Sequence, residues 1–168
     1  MITIRPAKPA DGEAIARVHR AAFPQDDEAK LVWALDAQGY SEISVVAEKD
    51  GTVIGHVLLS RMTLTFEDRT VKTLALAPVA VLPENQNEGV GSKLIRDALG
   101  RAASAGWEAV IVLGHAKYYP RFGFDPAMVK GIASPYASPN LMGLELKAGA
   151  LKGKGGKMTY PPPFGAST

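Results

Sequence analysis

The chain predicts a mixed α/β domain: a largely antiparallel sheet that turns parallel once, with helices packed on it. Three features predict this. Asp50-Gly51 is a two-residue hairpin signal between strand-like runs at Glu42 to Glu48 and Val53 to Leu59, so the early strands pair antiparallel. The stretch from Leu74 to Arg101, LALAPVAVLPENQNEGVGSKLIRDALGR, passes from an apolar strand through a polar, glycine-poised turn into a helical pattern. Ala109 to Leu113 is then a continuous apolar run, as expected of a strand covered on both faces and parallel to the one before the helix.

In chain order, Ile2 and Ile4 alternate with Thr3 and Arg5 as a short strand stopped by Pro6 and Pro9. Asp11 follows as the cap of a helix carrying Ala14, Ile15, Val18, Ala21 and Ala22 on one side, ended by Pro24. A second helix starts near Asp26 or Asp27, carries Leu31, Ala34 and Leu35, and ends before Gly39. The turn at Glu67, Asp68 and Arg69 leads into a strand that runs through Val81 and completes an antiparallel meander. Pro78 inside it cannot donate a ladder hydrogen bond, which predicts a bulge or an unpaired side. The helix from Val90 to about Ala105 buries Val90, Leu94, Ile95, Ala98, Leu99 and Ala102, turns Lys93, Asp97 and Arg101 outward, and stops at Gly106. Phe122 and Phe124 read as core, and one further strand is expected at Leu141 to Leu146.

At 168 residues the chain suits one domain, 1–168, in which 151–168 is a Gly/Lys/Pro-rich C-terminal segment. That segment, with Lys152, Lys154 and Lys157 before Tyr160 to Phe164, reads either as a tail packing its aromatics on the domain or as a ligand for a proline-binding groove or an anionic partner. A net charge of +2 does not argue for nucleic acid. The absence of cysteine removes disulfides, thiolate catalysis and cysteine metal sites. His19, His56 and His115 show no metal-ligand spacing, so no metal is expected. No apolar run approaches a membrane span of about 20 residues, and Arg5, Lys8 and Asp11 interrupt any leader-like start. A cytoplasmic enzyme or binding domain is the expectation.

The chemistry lies in the strand–loop–helix unit. The first amides of a helix lack intrahelical acceptors and the dipole adds partial positive charge, so a phosphate fits there. A Walker loop needs Gly-Lys-Ser/Thr, whereas the order is Gly91-Ser92-Lys93; the dinucleotide fingerprint needs a third glycine where Leu94 stands. What fits is Gln/Arg-x-x-Gly-x-Gly/Ala, as Gln86-Asn87-Glu88-Gly89-Val90-Gly91 after Pro78-Val79-Ala80-Val81-Leu82-Pro83. Downstream, Tyr119 to Phe124 reads Tyr-x-x-x-Gly-Phe. In this order the two motifs resemble the acyl-CoA loop and the later tyrosine signature of the GNAT superfamily of N-acetyltransferases, with the resemblance spanning roughly Ile2 to Leu146.

The resemblance implies the GNAT fold, with splayed parallel strands and a slot for pantetheine, and acetyl transfer from acetyl-CoA to a primary amine by direct attack. The amine would belong to a small molecule or a peptide, and a homodimer would be in keeping with the superfamily. The backbone of Val79 and Val81 would hold pantetheine or polarise the thioester carbonyl; amides from Gln86, Asn87, Glu88, Gly89, Val90, Gly91 and Ser92 would hold the pyrophosphate. Tyr119 matches the tyrosine that protonates the departing thiolate, its phenol being neutral at pH 7; the alternative is an aromatic that only packs. Candidates for the base or an acceptor contact are Glu28, His56 and Glu84, each of which also reads as solvated or structural. Asn87 and Glu88 stand where family members often carry glycine or a basic residue, so Glu88 is expected to point outward, with Lys93 or Arg96 supplying positive charge. Val112 stands where many members carry asparagine. The alternatives are a CoA-binding regulatory module without turnover and a generic phosphate site on another α/β protein.

Overall fold

The computed structural model describes residues 1–165; the end of the C-terminal segment, 166–168, lies outside them. The strands are β1 (Ile2–Pro6), β2 (Ser41–Lys49), β3 (Thr52–Thr65), β4 (Thr70–Val81), β5 (Ala109–Leu113), β6 (Leu141–Glu145) and β7 (Lys157–Thr159), and the helices α1 (Gly12–Ala22), α2 (Asp27–Ala37) and α3 (Val90–Ser104). Hydrogen bonding orders the sheet β1-β2-β3-β4-β5-β6, with β7 paired to β3 off that path. The chain gathers into two compact units, Met1–Ser60 with Ala77–Ala102, and Arg61–Leu76 with the chain from Ala103 onward.

In the first unit, β1, β2 and the start of β3 form an antiparallel meander, with Ile4 opposite Ala47 and Val46 opposite His56. Asp50 and Gly51 have φ of 51° and 79°, and a tight hairpin whose twist suits the strands needs both positive. Asp11 is not a side-chain cap for α1. Its carboxylate is taken instead by Arg5, at 2.8 and 3.0 Å, and by the Lys8 amide at 2.6 Å, because a half-buried guanidinium is the stronger partner. Arg5 also bonds Glu48 at 2.8 Å and so ties β1, β2 and the entry to α1 together. The buried face of α1 is Ile15, Val18 and His19, leaving Ala21 exposed; that of α2 is Ala29, Val32 and Leu35, leaving Leu31 and Ala34 half-buried. In α3 the buried set is Val90, Leu94, Ile95, Ala98, Leu99 and Ala102, as its periodicity predicts.

In the second unit, β4 and β5 are parallel but pair only over Thr73–Ala109, Leu74–Val110 and Ala75–Ile111. Beyond Ala75, β4 runs on through Pro78, and the Ala77–Pro78 bond is cis. β6 pairs antiparallel along the whole of β5. β3 extends past Leu59 because Met62 and Leu64 are buried while Arg61 and Thr63 are exposed, an alternation that the polar Ser60-Arg61 pair disguises in sequence. Its far end takes β7, with Leu64 opposite Met158. The C-terminal segment therefore packs on the fold: Tyr160 is buried against Tyr136 at 4.8 Å between ring centroids, and Tyr136 Oη donates to the Phe164 carbonyl at 3.0 Å. Arg69 holds the segment's start, donating to the carbonyls of Gly149, Ala150 and Lys152 at 3.1, 3.2 and 2.6 Å with its guanidinium 4.6 Å over Phe66. Phe124 is in the core, whereas Phe122 is half-buried.

Candidate functional site

The loop from Val81 to Ser92 is built by short-range forces. A 3-10 turn at Pro83–Asn85 follows the strand, and the Leu82 amide donates to the Ile54 carbonyl at 2.8 Å, fixing the exit from β4. The Gln86 carboxamide donates to the Val81 carbonyl at 2.9 Å and closes the loop on itself. Asn87 has φ of 65° and Gly89 has φ of 78°. Asparagine is among the few side-chain-bearing residues that enter the left-handed region readily, so it stands in for glycine at that position. The Lys93 amide closes the first helical turn onto the Gly89 carbonyl at 3.1 Å. The helix thus opens directly behind the left-handed Gly89, with left-handed Asn87 two residues earlier, and a helix N-terminus reached by such a loop favours an anion.

Glu88 and Glu84 are exposed, Val79 and Val81 half-buried, and Val90 buried. Val90 and Leu94 seat α3 on β3 at Gly55, where an added Cβ would lie 2.9 Å from Leu94 Cδ1, 3.3 Å from the Ala80 carbonyl and 3.4 Å from Val90 Cγ1. Sequence reasoning passed over Gly55, although an isolated glycine inside a strand pattern signals close approach. The glycine fixes how near the start of α3 can come to the sheet, and with it where the loop lies.

His56 is fully buried on β3, and its partners are neither Glu28 nor Glu84. His56 Nδ1 lies 2.9 Å from His19 Nε2 on α1, and its Nε2 lies 2.8 Å from Ser44 Oγ on β2. His19 is also fully buried, stacks on Phe23 at 6.3 Å, and its Nδ1 has no partner among the described residues. An orphaned N–H costs more than an orphaned lone pair, so the proton belongs on His19 Nε2. That makes His19 donor to His56 and His56 donor to Ser44. Burial pushes His56 down to about 3, helped by its neighbour His19 and opposed by Asp11, and pushes His19 down to about 4. Both are neutral at pH 7. The sequence flagged His56 alone, because its partners come from elements far away in the chain. Glu28 is half-buried in the first turn of α2.

In the second unit, Tyr119 opens a 3-10 turn, Tyr119–Phe122, closed by Gly123 at φ of 101°. Tyr119 is 7% exposed, and its ring meets those of Tyr118, Phe122 and Phe124 at centroid distances of 5.1, 6.2 and 5.9 Å. Burial, with a smaller contribution from Tyr118, pushes its phenol up to about 12, so it keeps its proton throughout the neutral range.

Comparisons with known proteins bear on this arrangement. The family model of the acetyltransferase (GNAT) domain matches residues 3–127. Among curated relatives, an Escherichia coli K12 protein named uncharacterized N-acetyltransferase YjhQ is 41% identical over 133 residues, covering 77% of this chain and 74% of that one. The E. coli protein named uncharacterized N-acetyltransferase YhbS is 35% identical over 125 residues, covering 74% of each chain. Among solved structures, the E. coli GNAT family N-acetyltransferase YhbS in complex with CoA superposes with a TM-score of 0.88 at 29% identity, over 99% of this chain and 93% of that one. A GNAT family acetyltransferase from Brucella melitensis in complex with acetyl-CoA gives 0.81 at 32% identity, over 98% of both chains. With a family model covering most of its length and curated relatives more than a third identical over the aligned residues, the chain belongs to the GNAT family of acetyltransferases.

Proposed function

We propose that the protein transfers an acetyl group from acetyl-CoA to a primary amine of a small molecule or peptide by direct attack. The observation that carries this is the paired left-handed geometry of Asn87 and Gly89 directly before α3, a cradle suited to a pyrophosphate. The residues present fit that group: Glu88 is exposed, and nothing lies within 4 Å of a Cβ added at Gly89. The two solved relatives that hold CoA and acetyl-CoA support the same cofactor. Among the described residues, no helix is long and apolar enough to cross a membrane, and no group of histidines and carboxylates that would hold a metal is found.

In the proposed reaction the amine nitrogen attacks the thioester carbonyl carbon. Negative charge builds on the carbonyl oxygen, and the C–S bond then breaks as the thiolate takes a proton. Amides from Asn87 through Ser92 hold the pyrophosphate, whereas the Gln86 amide donates to the Pro83 carbonyl at 3.3 Å and closes the turn before them. A developing oxyanion needs donors, so Val79 and Val81 act toward it through their N–H groups, and their backbone also serves pantetheine. Tyr119 supplies the proton to the leaving sulfur. The proton lost by the amine goes to Glu84, Glu28 or water. His56 is sealed from solvent and bonded on both nitrogens, which suits it to holding α1 on the sheet.

Calorimetric titration with acetyl-CoA, beside ATP and NAD, tests the loop, and Gly89→Asp is its control. The aspartate has room, but its carboxylate faces the pyrophosphate. It also takes a strained φ at a cost of about 1–2 kcal/mol, which leaves the domain folded. Selective acetyl-CoA binding that G89D abolishes is the expected result; equal affinity in G89D refutes the assignment. A panel of primary amines scored by thiol release then tests turnover, and binding without amine-dependent release would leave a CoA-binding module.

A further inference from the structure

Gly114 directly follows β5, and its amide donates to the Asn140 carbonyl at 3.1 Å. A Cβ placed there would stand 2.3 Å from Tyr119 Cε2, 2.8 Å from Cδ2 and 3.3 Å from Cζ. The Tyr119 ring thus occupies the volume that any side chain at 114 would need. Its backbone lies outside the left-handed region, so glycine supplies close approach there and not dihedral freedom. The ring has little room to retreat. Tyr118 meets it edge-on at 81° and Phe124 at 86°, Phe124 is itself 2% exposed, and the amides of Tyr118 and Tyr119 both donate to the His115 carbonyl, at 3.0 and 3.2 Å.

We propose that Gly114 is a positioning residue for acetyl transfer: its bare α-carbon is the seat of the Tyr119 ring and fixes where the phenol delivers its proton. This rests on the reading of Tyr119 as the proton donor. In a well-packed site the geometry of a catalytic group is set by what its ring rests on, and a displacement of about 1 Å costs on the order of 100-fold in rate. A methyl group at 114 forces a displacement of that size, because the clash is with ring atoms that cannot bend away individually.

The test is Gly114→Ala, read in two ways. In protein labelled with ¹³C at tyrosine Cζ, the Tyr119 signal is identified by its loss in Tyr119→Phe and followed from about pH 8 to about pH 11. In G114A that signal moves, and its titration falls toward the ordinary phenol value of about 10 as the ring is pushed outward. An unchanged signal and titration overturn the proposal. The second reading is thiol release from acetyl-CoA with hydroxylamine as acceptor, a nucleophile uncharged at neutral pH, which isolates protonation of the leaving group. Y119F lowers kcat about 100-fold. G114A falls by the same order with KM for acetyl-CoA unchanged, and G114A/Y119F is no slower than Y119F. Full kcat in Y119F overturns the proposal through the acid assignment beneath it; normal kcat in G114A beside a crippled Y119F overturns it on its own account. Should G114A fail to fold, G114A/Y119A is compared with Y119A by urea unfolding: with the clashing ring gone, the added methyl costs the double variant no further stability. A double variant clearly less stable than Y119A shows that the ring is not what occupies the seat and overturns the proposal.

Discussion

Acid stability follows directly from the buried histidine pair. An unfolded histidine titrates near 6.5, whereas burial holds His19 at about 4 and His56 at about 3 in the fold. Between these values the unfolded chain binds protons that the native protein does not, so stability rises with pH across the window. It is fully present above about 6.5 and is lost as pH falls toward the folded values. At about pH 5 each histidine has lost roughly 2 kcal/mol, hence roughly 4 kcal/mol for the pair, a large share of a typical domain's 5–15 kcal/mol. Asp11, held at about 2 first by its bonds to Arg5, does not titrate in this window, and His115 is exposed. Urea unfolding at about pH 7, 6 and 5 should show a falling midpoint with an unchanged slope. His19→Leu/His56→Leu removes both groups together, so neither is left buried without its partner, and it should flatten that dependence. A midpoint constant from pH 7 to 5, or a double variant keeping the full dependence, refutes the reasoning.

Gly55→Val brings branched carbons against Leu94, Val90 and the Ala80 carbonyl, where a lone Cβ already meets 2.9 Å. It should cost about 1–3 kcal/mol by overpacking and weaken acetyl-CoA binding by calorimetry through movement of α3; unchanged affinity would separate the helix seat from the loop. Arg69→Ala removes a guanidinium shared by three carbonyls and stacked on Phe66. A loss of about 2 kcal/mol in urea unfolding is expected, together with faster proteolysis of the segment after Gly149. A melting temperature within a degree or so of the parent would argue that the segment is held by its aromatics alone.

Much of this protein is local physics and therefore legible in its sequence. The Asp50-Gly51 hairpin, the six buried positions of α3, the apolar run of β5 and the glycine pattern of the loop each depend on residues a few positions apart. Asn87 appeared a departure from the loop's pattern until its φ of 65° gave the reason it is tolerated. Where sequence reading failed, a partner outside the element had taken the group that local logic assigned. Arg5 took the carboxylate of Asp11 that local logic assigned to capping α1, and β7 became a strand only because β3 extends far enough to pair with it.

By itself the sequence determined the α/β class, the order of strand, loop and helix, and the family, because periodicity and turn chemistry act over a few residues. Only the tertiary structure decided why His19 and His56 are buried and why position 55 must be bare. Those are contacts between segments far apart in the chain, set by packing density and desolvation, and no spacing in the sequence encodes them.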